Sequence, residues 1–256
     1  MSDRIVSAAV VVIGNEILSG RTADRNLPFL ATRLNELGIQ LREARVVPDL
    51  EDEIVRAVNE TRARHDYVFT TGGIGPTHDD ITGDAIAKAF AVGIDYHAEA
   101  VAILKAHYAN TGAELNTARL RMARVPAGAE LIDNPVSKAP GYQIGNVFVL
   151  AGVPAIMQAM FESLKHKLVG GLPVRSLAIA AYLAEGAIAK GLGELAGRHP
   201  EVDLGSYPFY RQGRFGTSIV GRSTDPDRLA AAAAELRQLM RDLGAEPLEE
   251  STNSPG

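Results

Sequence analysis

The stretch TTGGIGPTHDDIT, Thr70 to Thr82, decides the fold. Before it, Tyr67 to Phe69 is a short apolar run of β-favouring residues; after it, Ala85, Ile86, Ala89 and Phe90 recur at helical spacing. A strand therefore turns into a helix here. Glycine at 72, 73 and 75 allows positive φ and close approach of the backbone to a ligand, while the unpaired N–H groups that open the following helix face whatever binds. Thr71, Pro76, Thr77 and Thr82 complete the loop as ligand-binding candidates, and an anion is the occupant that this arrangement favours.

Asp79 and Asp80 stand beside that cradle, and two carboxylates repel a phosphate unless a cation lies between them. Mg²⁺ resolves the conflict, since it is bound through one or two carboxylates together with phosphate oxygens. Either acid alone reads as a helix cap. In the company of the glycines and Thr77, the pair reads as a metal site.

Outward from this loop, strand-like and helix-like segments alternate through two-thirds of the chain, which predicts an α/β fold: a three-layer, mostly parallel sheet with helices on both faces. Ser7 to Ile13 is a buried strand. A helix follows with Leu27, Leu30, Leu34 and Leu37 on one face, ended by Gly38. Ile39 to Val47 is a strand, Pro48 and Asp49 turn the chain into a helix bearing Leu50, Ile54 and Val58, and helical spacing returns between Ala98 and Tyr108. Asp133 to Gly141, DNPVSKAPG, reads as an ordered irregular loop. Val147 to Leu150 is a further strand, leading through GVP into a helical run from Ala155 to Leu168.

Ligands bind such sheets beyond the carboxyl ends of the strands. The candidate loops are therefore Gly14 to Asp24, Pro48 to Asp49, the glycine loop, and Gly152 to Pro154, with Lys138 available to complement a phosphate. Glu16, next to Gly14 and Asn15, reads equally as a ligand contact and as a first-turn carboxylate. His78 reads as an exposed loop residue.

The pattern changes near Gly171. Val174 to Leu183 reads as a strand, Gly186 to Gly197 as a helix, Val202 to Tyr210 and Arg214 to Arg222 as a hairpin, and Arg228 to Leu243 as an alanine-rich helix. Residues 1–170 are thus expected to form the binding domain, 171–245 a small α+β domain, and 246–256 a fraying tail. GLGELA at 191–196 fits a dinucleotide pattern only on paper, because it lies inside a helix.

The chain has 256 residues, no cysteine and a net charge of −5. Disulfides, thiolate nucleophiles and Cys-ligated zinc are excluded. Without a basic stripe or tryptophan, nucleic acid is not an expected partner, and no apolar run approaches a bilayer span. A cytoplasmic location is the expectation.

GNEILSG with Asp24 and Asn26, the glycine loop with its acid pair, and NPVSKAPG followed by GVP together resemble the MoaB/Mog-like molybdopterin-binding family, in particular its CinA N-terminal group. The likeness extends over nearly the whole chain; the unit after Gly171 resembles the small domain that follows the binding domain in that group, and the deamidase domain of full CinA proteins has no counterpart in these residues. The resemblance implies that Asp80 takes part in nucleotidyl and metal chemistry, that Asp49 is a second functional acid, and that Asn134, Ser137, Pro140, Gly141, Gly152 and Pro154 contribute to the ligand site. It also implies a homo-oligomer.

Three departures stand out: Asp24-Arg25-Asn26 where relatives read DTN, Ser137 and Lys138 where they read NPVGTAPG, and Ala151 with Ile156 where they read PGVPxE. Three functions stay open. The first is a binding protein that holds molybdopterin or an adenine nucleotide with Mg²⁺, with adenylyl or metal transfer as the associated chemistry. The second, implied by the CinA likeness and weakened by the missing glutamate, is a Mg²⁺-dependent ADP-ribose or FAD pyrophosphatase. The third is a non-catalytic scaffold.

Overall fold

The structure, a computed structural model, describes residues 5–250. The chain divides into two units, Met1–Leu172 and Pro173–Gly256.

In the first unit the elements run β1 (Val6–Ile13), α1 (Asn15–Leu18), α2 (Asn26–Glu36), β2 (Ile39–Val47), α3 (Glu51–Arg62), β3 (Tyr67–Thr71), α4 (Thr82–Ala89), β4 (Ile94–Tyr96) and α5 (Ala98–Thr111). There follow α6 (Thr117–Leu120), β5 (Arg124–Pro126), β6 (Glu130–Ile132), β7 (Gly141–Ile144), β8 (Val147–Leu150) and α7 (Pro154–Leu164). The main sheet has the order β2-β1-β3-β8-β7-β6. Pairing is parallel from β2 to β8 and antiparallel through β7 and β6.

Strand β1 shows why the sheet carries helices on both faces. From Ala8 to Ile13 its residues are apolar without alternation, because successive side chains point into different cores. Ala9, Val11 and Ile13 pack with Ile54 and Val58 of α3 and Ile86 of α4; Ala8, Val10 and Val12 pack with Leu30 and Leu34 of α2 and Met157 and Phe161 of α7. Each such Val or Leu contributes roughly 1.5–3 kcal/mol relative to exposure. In the second core Phe69 stacks on Phe148 at 5.1 Å between ring centroids.

The chain differs from the sequence expectation where elements are short. The β4–β5 ladder and the β6 and β7 strands span only three or four residues each, and β6 and β7 border the irregular loop expected between Asp133 and Gly141. Helix α7 begins with Pro154 in its first turn and ends at Leu164, where Lys165–Lys167 tightens into a 3₁₀ turn.

The second unit contains β9 (Arg175–Ala181), α8 (Glu185–Arg198), β10 (Asp203–Arg211), β11 (Arg214–Ser223), α9 (Pro226–Asp242) and β12 (Leu248–Glu250). Its antiparallel sheet has the order β10-β11-β9-β12. Ile179 and Ile219 of the sheet pack with Ile188 of α8 and Leu236 of α9. The fraying expected from residue 246 onward is corrected for Leu248–Glu250: this segment pairs with β9, Glu250 accepts a hydrogen bond from Ser218 Oγ at 2.5 Å, and Glu249 accepts one from Arg237 Nε at 2.7 Å. Residues 251–256 of that expected tail lie outside the described residues.

No helix among the described residues is long and apolar enough to cross a membrane.

Candidate ligand site

The carboxyl ends of β1, β3 and β8 meet through their backbones. Gly72 has φ +106, and a Cβ there would lie 2.2 Å from Ile13 O; a Cβ at Gly152 would lie 3.2 Å from Gly72 Cα. Asn26, buried at the start of α2, donates to Gly152 O at 2.8 Å, while Asp24 accepts from the N–H groups of Asn26 and Leu27 at 3.3 and 2.9 Å. The GNEILSG and GVP loops therefore abut the glycine loop. Pro154 serves the opening turn of α7.

Within the glycine loop, Gly73 has φ +66 and would place a Cβ 2.1 Å from Thr82 Oγ1. Thr82 is fully buried and donates to Gly72 O at 3.0 Å, which locks the loop onto the start of α4. Asp80 Oδ2 accepts from both the N–H and the hydroxyl of Thr77, at 2.8 and 2.5 Å. Asp79, next to it, is exposed and does not line the cleft beside the loop. Pro76 leads into Thr77 between Gly75 and this acid turn. Thr71, like Thr70, has a buried hydroxyl with no hydrogen-bond partner.

A shallow, open cleft lies beside the loop. Gly73, Ile74, Gly75 and Asp80 form one side, and Gly83, Asp84 and Ile94 continue it. Arg121, Met122 and Arg124 face them from the turn after α6 and the start of β5; Pro140 and Tyr142 close it from the β7 side. Three of these groups escaped the sequence reading. Arg124 closes a two-pronged ion pair on Asp84, at 2.9 and 2.7 Å. Tyr142 is 3% exposed and its hydroxyl has no partner. Burial, and then the charge of Asp84, push the Tyr142 phenol well above its ordinary value, so it stays a hydrogen-bond donor. The third is Arg121. No single-sequence signal marks them, because each lies far along the chain from Asp80 and only the short β7 strand and the turn after α6 bring them near it.

Other candidates stand outside the cleft lining. Asp49 Oδ2 accepts from Asn15 N–H at 2.8 Å and Gly14 N–H donates to Val47 O at 3.1 Å, which ties the end of β1 to the end of β2. Glu16 is exposed in α1 and its carboxylate folds over Gly14, 2.5 Å from where a Cβ would stand. Asn134 organises its own loop: its side chain donates to Ser137 Oγ and Ala139 O, both at 2.7 Å, and accepts from the N–H groups of Val136 and Ser137. Lys138 takes a left-handed backbone at φ 61. Gly141 is a packing glycine, since a Cβ there would lie 2.3 Å from Met160 Cε. Ile156, at the departure from the family pattern, packs against the α2–α7 core.

Among the described residues no group of three or more His, Cys, Asp or Glu is placed to hold a metal ion. A cation at Asp80 would take the rest of its oxygen ligands from the bound molecule and from water, which is the habit of Mg²⁺.

Residues 9–170 match a family described as a probable molybdopterin binding domain, and residues 173–248 match the middle domain of FAD synthase. A protein of Pyrobaculum calidifontis is 36% identical over 211 residues, covering 79% of this chain and 80% of the relative. A probable FAD synthase of Caenorhabditis elegans is 32% identical over 258 residues; 91% of this chain is covered, and the chain spans 50% of that protein. Among solved structures, protein CinA from Thermoplasma acidophilum is similar at 35% identity and a TM-score of 0.59, over 64% of this chain and 98% of that one.

Proposed function

Because this chain belongs to the probable molybdopterin-binding domain family, we propose that it binds a phosphate-bearing pterin or adenine nucleotide, with Mg²⁺, in the cleft beside the glycine loop. The observation that carries this reading is the direct apposition of Gly75 and Asp80, in which a Cβ at 75 would stand 2.6 Å from Asp80 Oδ2. Only bare backbone lies beside a carboxylate that opens onto the cleft. A phosphate that used those amides would sit within reach of the carboxylate, and a divalent cation is what makes the two compatible.

The chain's own groups fit such a ligand. Ile74, Ile94 and Met122 give the cleft apolar flanks for a planar ring, and the unpartnered Tyr142 hydroxyl gives it a donor. Bound Mg²⁺ would supply charge neutralisation between Asp80 and the phosphate. Thr77 holds Asp80 in position, and Thr82 fixes the loop backbone. The test is calorimetric titration of the protein with adenine nucleotides and Mg²⁺, beside native mass spectrometry of freshly purified protein. Saturable, Mg²⁺-dependent binding supports the reading; empty protein that fails to bind nucleotide or pterin overturns it.

A second reading keeps the same class of ligand, to which the match of residues 173–248 to the FAD synthase middle domain adds FAD. In it the same cleft hydrolyses an adenine dinucleotide at its diphosphate, where water attacks one phosphorus, the P–O–P bond breaks and two monophosphates leave. Loop amides would stabilise the charge that develops on the phosphoryl oxygens. Release of AMP from ADP-ribose or FAD, lost in Asp80→Asn, distinguishes hydrolysis from binding alone. A self-associating, cytoplasmic protein is part of the proposal and is tested by sedimentation and by fractionation.

A further inference from the structure

Resting on the reading that phosphate occupies the glycine loop, we propose that Arg121 is a second anion anchor which makes the cleft selective for ligands carrying a diphosphate over those carrying one phosphate. Four charged side chains line the cleft: Asp80, Asp84, Arg121 and Arg124. Asp84 and Arg124 neutralise one another through their paired hydrogen bonds. Asp80 is engaged by Thr77. Arg121 is left, half-buried: its backbone belongs to the turn that closes α6, and its guanidinium makes none of the side-chain hydrogen bonds or ion pairs of the described residues.

Its position is fixed by the backbone. Asn116 caps α6 by accepting from Arg119 N–H at 2.9 Å, and the chain then tightens into the Arg121–Ala123 3₁₀ turn, with Ala123 fully buried. Neighbouring Arg119 is spent elsewhere, stacked 4.9 Å over the Tyr108 ring and hydrogen-bonded to Glu114 O at a backbone oxygen. The Tyr142 hydroxyl, buried and unpartnered in the same lining, independently marks this side of the cleft as built for a polar guest. A guanidinium without a carboxylate partner, across from a phosphate cradle, is matched by a second phosphoryl group, to which it donates two parallel hydrogen bonds.

The experiment is titration of AMP and ADP, each with Mg²⁺, into wild-type protein, Arg121→Ala, Arg121→Lys and the control Arg119→Ala. Wild type is expected to bind ADP about tenfold more tightly than AMP, the factor that one charge-assisted contact supplies. Arg121→Ala is expected to bring that ratio close to one, Arg121→Lys to keep part of it, and Arg119→Ala to leave it intact. Equal binding of AMP and ADP by wild type, or a ratio unmoved by Arg121→Ala, overturns this inference and leaves the phosphate-site reading standing. Failure of wild type to bind either nucleotide overturns this inference, and it overturns the phosphate-site reading as well when native mass spectrometry finds no retained pterin.

Discussion

Asp80 Oδ2 takes both the backbone N–H and the hydroxyl of Thr77, so a single carboxylate oxygen makes every side-chain bond across this turn. The expected result of Asp80→Asn follows from that division. An asparagine carbonyl can still accept both bonds, so the melting temperature should hold within a few degrees. The negative charge is gone, and Mg²⁺-dependent nucleotide affinity should fall at least about tenfold, the lower end of what disturbed metal sites lose. Titration calorimetry with an unchanged binding constant would count against Asp80 as the cation's anchor.

Tyr142→Phe should move stability and affinity in opposite directions. The hydroxyl is buried without a partner, a condition that costs roughly 1–3 kcal/mol, so its removal should raise the melting temperature of the free protein. The same change deletes a donor facing the ligand, and affinity should drop about 2- to 10-fold. A variant that melts lower and binds as before would show that the hydroxyl serves packing.

Gly75→Ala separates the site from the fold. The new methyl would meet Asp80 Oδ2 at 2.6 Å and Oδ1 at 3.0 Å, and the carboxylate must swing away. Binding is expected to weaken by about the same factor as in Asp80→Asn, while circular dichroism stays native. Gly73→Ala is the contrast: positive φ and the 2.1 Å approach to Thr82 Oγ1 strain the buried junction with α4, and stability should fall by about 1–3 kcal/mol in urea melts.

Acid should loosen the first unit through Glu43. Burial pushes this carboxyl up, but hydrogen bonds from His65 and Arg45, with the charges of Arg45 and Arg64, outweigh it and leave the folded value below the usual 4.5. The sign follows. A group depressed in the folded state stabilises above its unfolded value, and that contribution disappears as pH falls through the folded one. The melting-temperature gap between wild type and Glu43→Gln should be full near neutrality and close in acid, well below pH 4.5. A gap of constant size across that range would show that Glu43 acts through packing.

What the sequence made legible was whatever a single segment encodes. The unbroken apolar run of β1 and the helical spacing of Leu30 and Leu34 announce a buried strand under a covering helix, and the glycines at 72, 73 and 75 announce a loop. Strands as short as Glu130–Ile132 carry too few residues to show a period. The bond between Thr77 and Asp80 spans three residues and still leaves no mark in the sequence, because it depends on side-chain direction. Arg121 and Tyr142 belong to the cleft only through tertiary folding. The pairing of Leu248–Glu250 is invisible in the sequence for a related reason: Leu-Glu-Glu has no strand character of its own and is held by β9, Ser218 and Arg237.

That last contact reaches further than three residues. Strand β9 would become an open border if Leu248–Glu250 were trimmed away, its amides bare to any neighbouring chain, as happens with unprotected sheet margins. Leu248–Glu250 thus works as a seal, and versions of the protein cut before it should clump more readily.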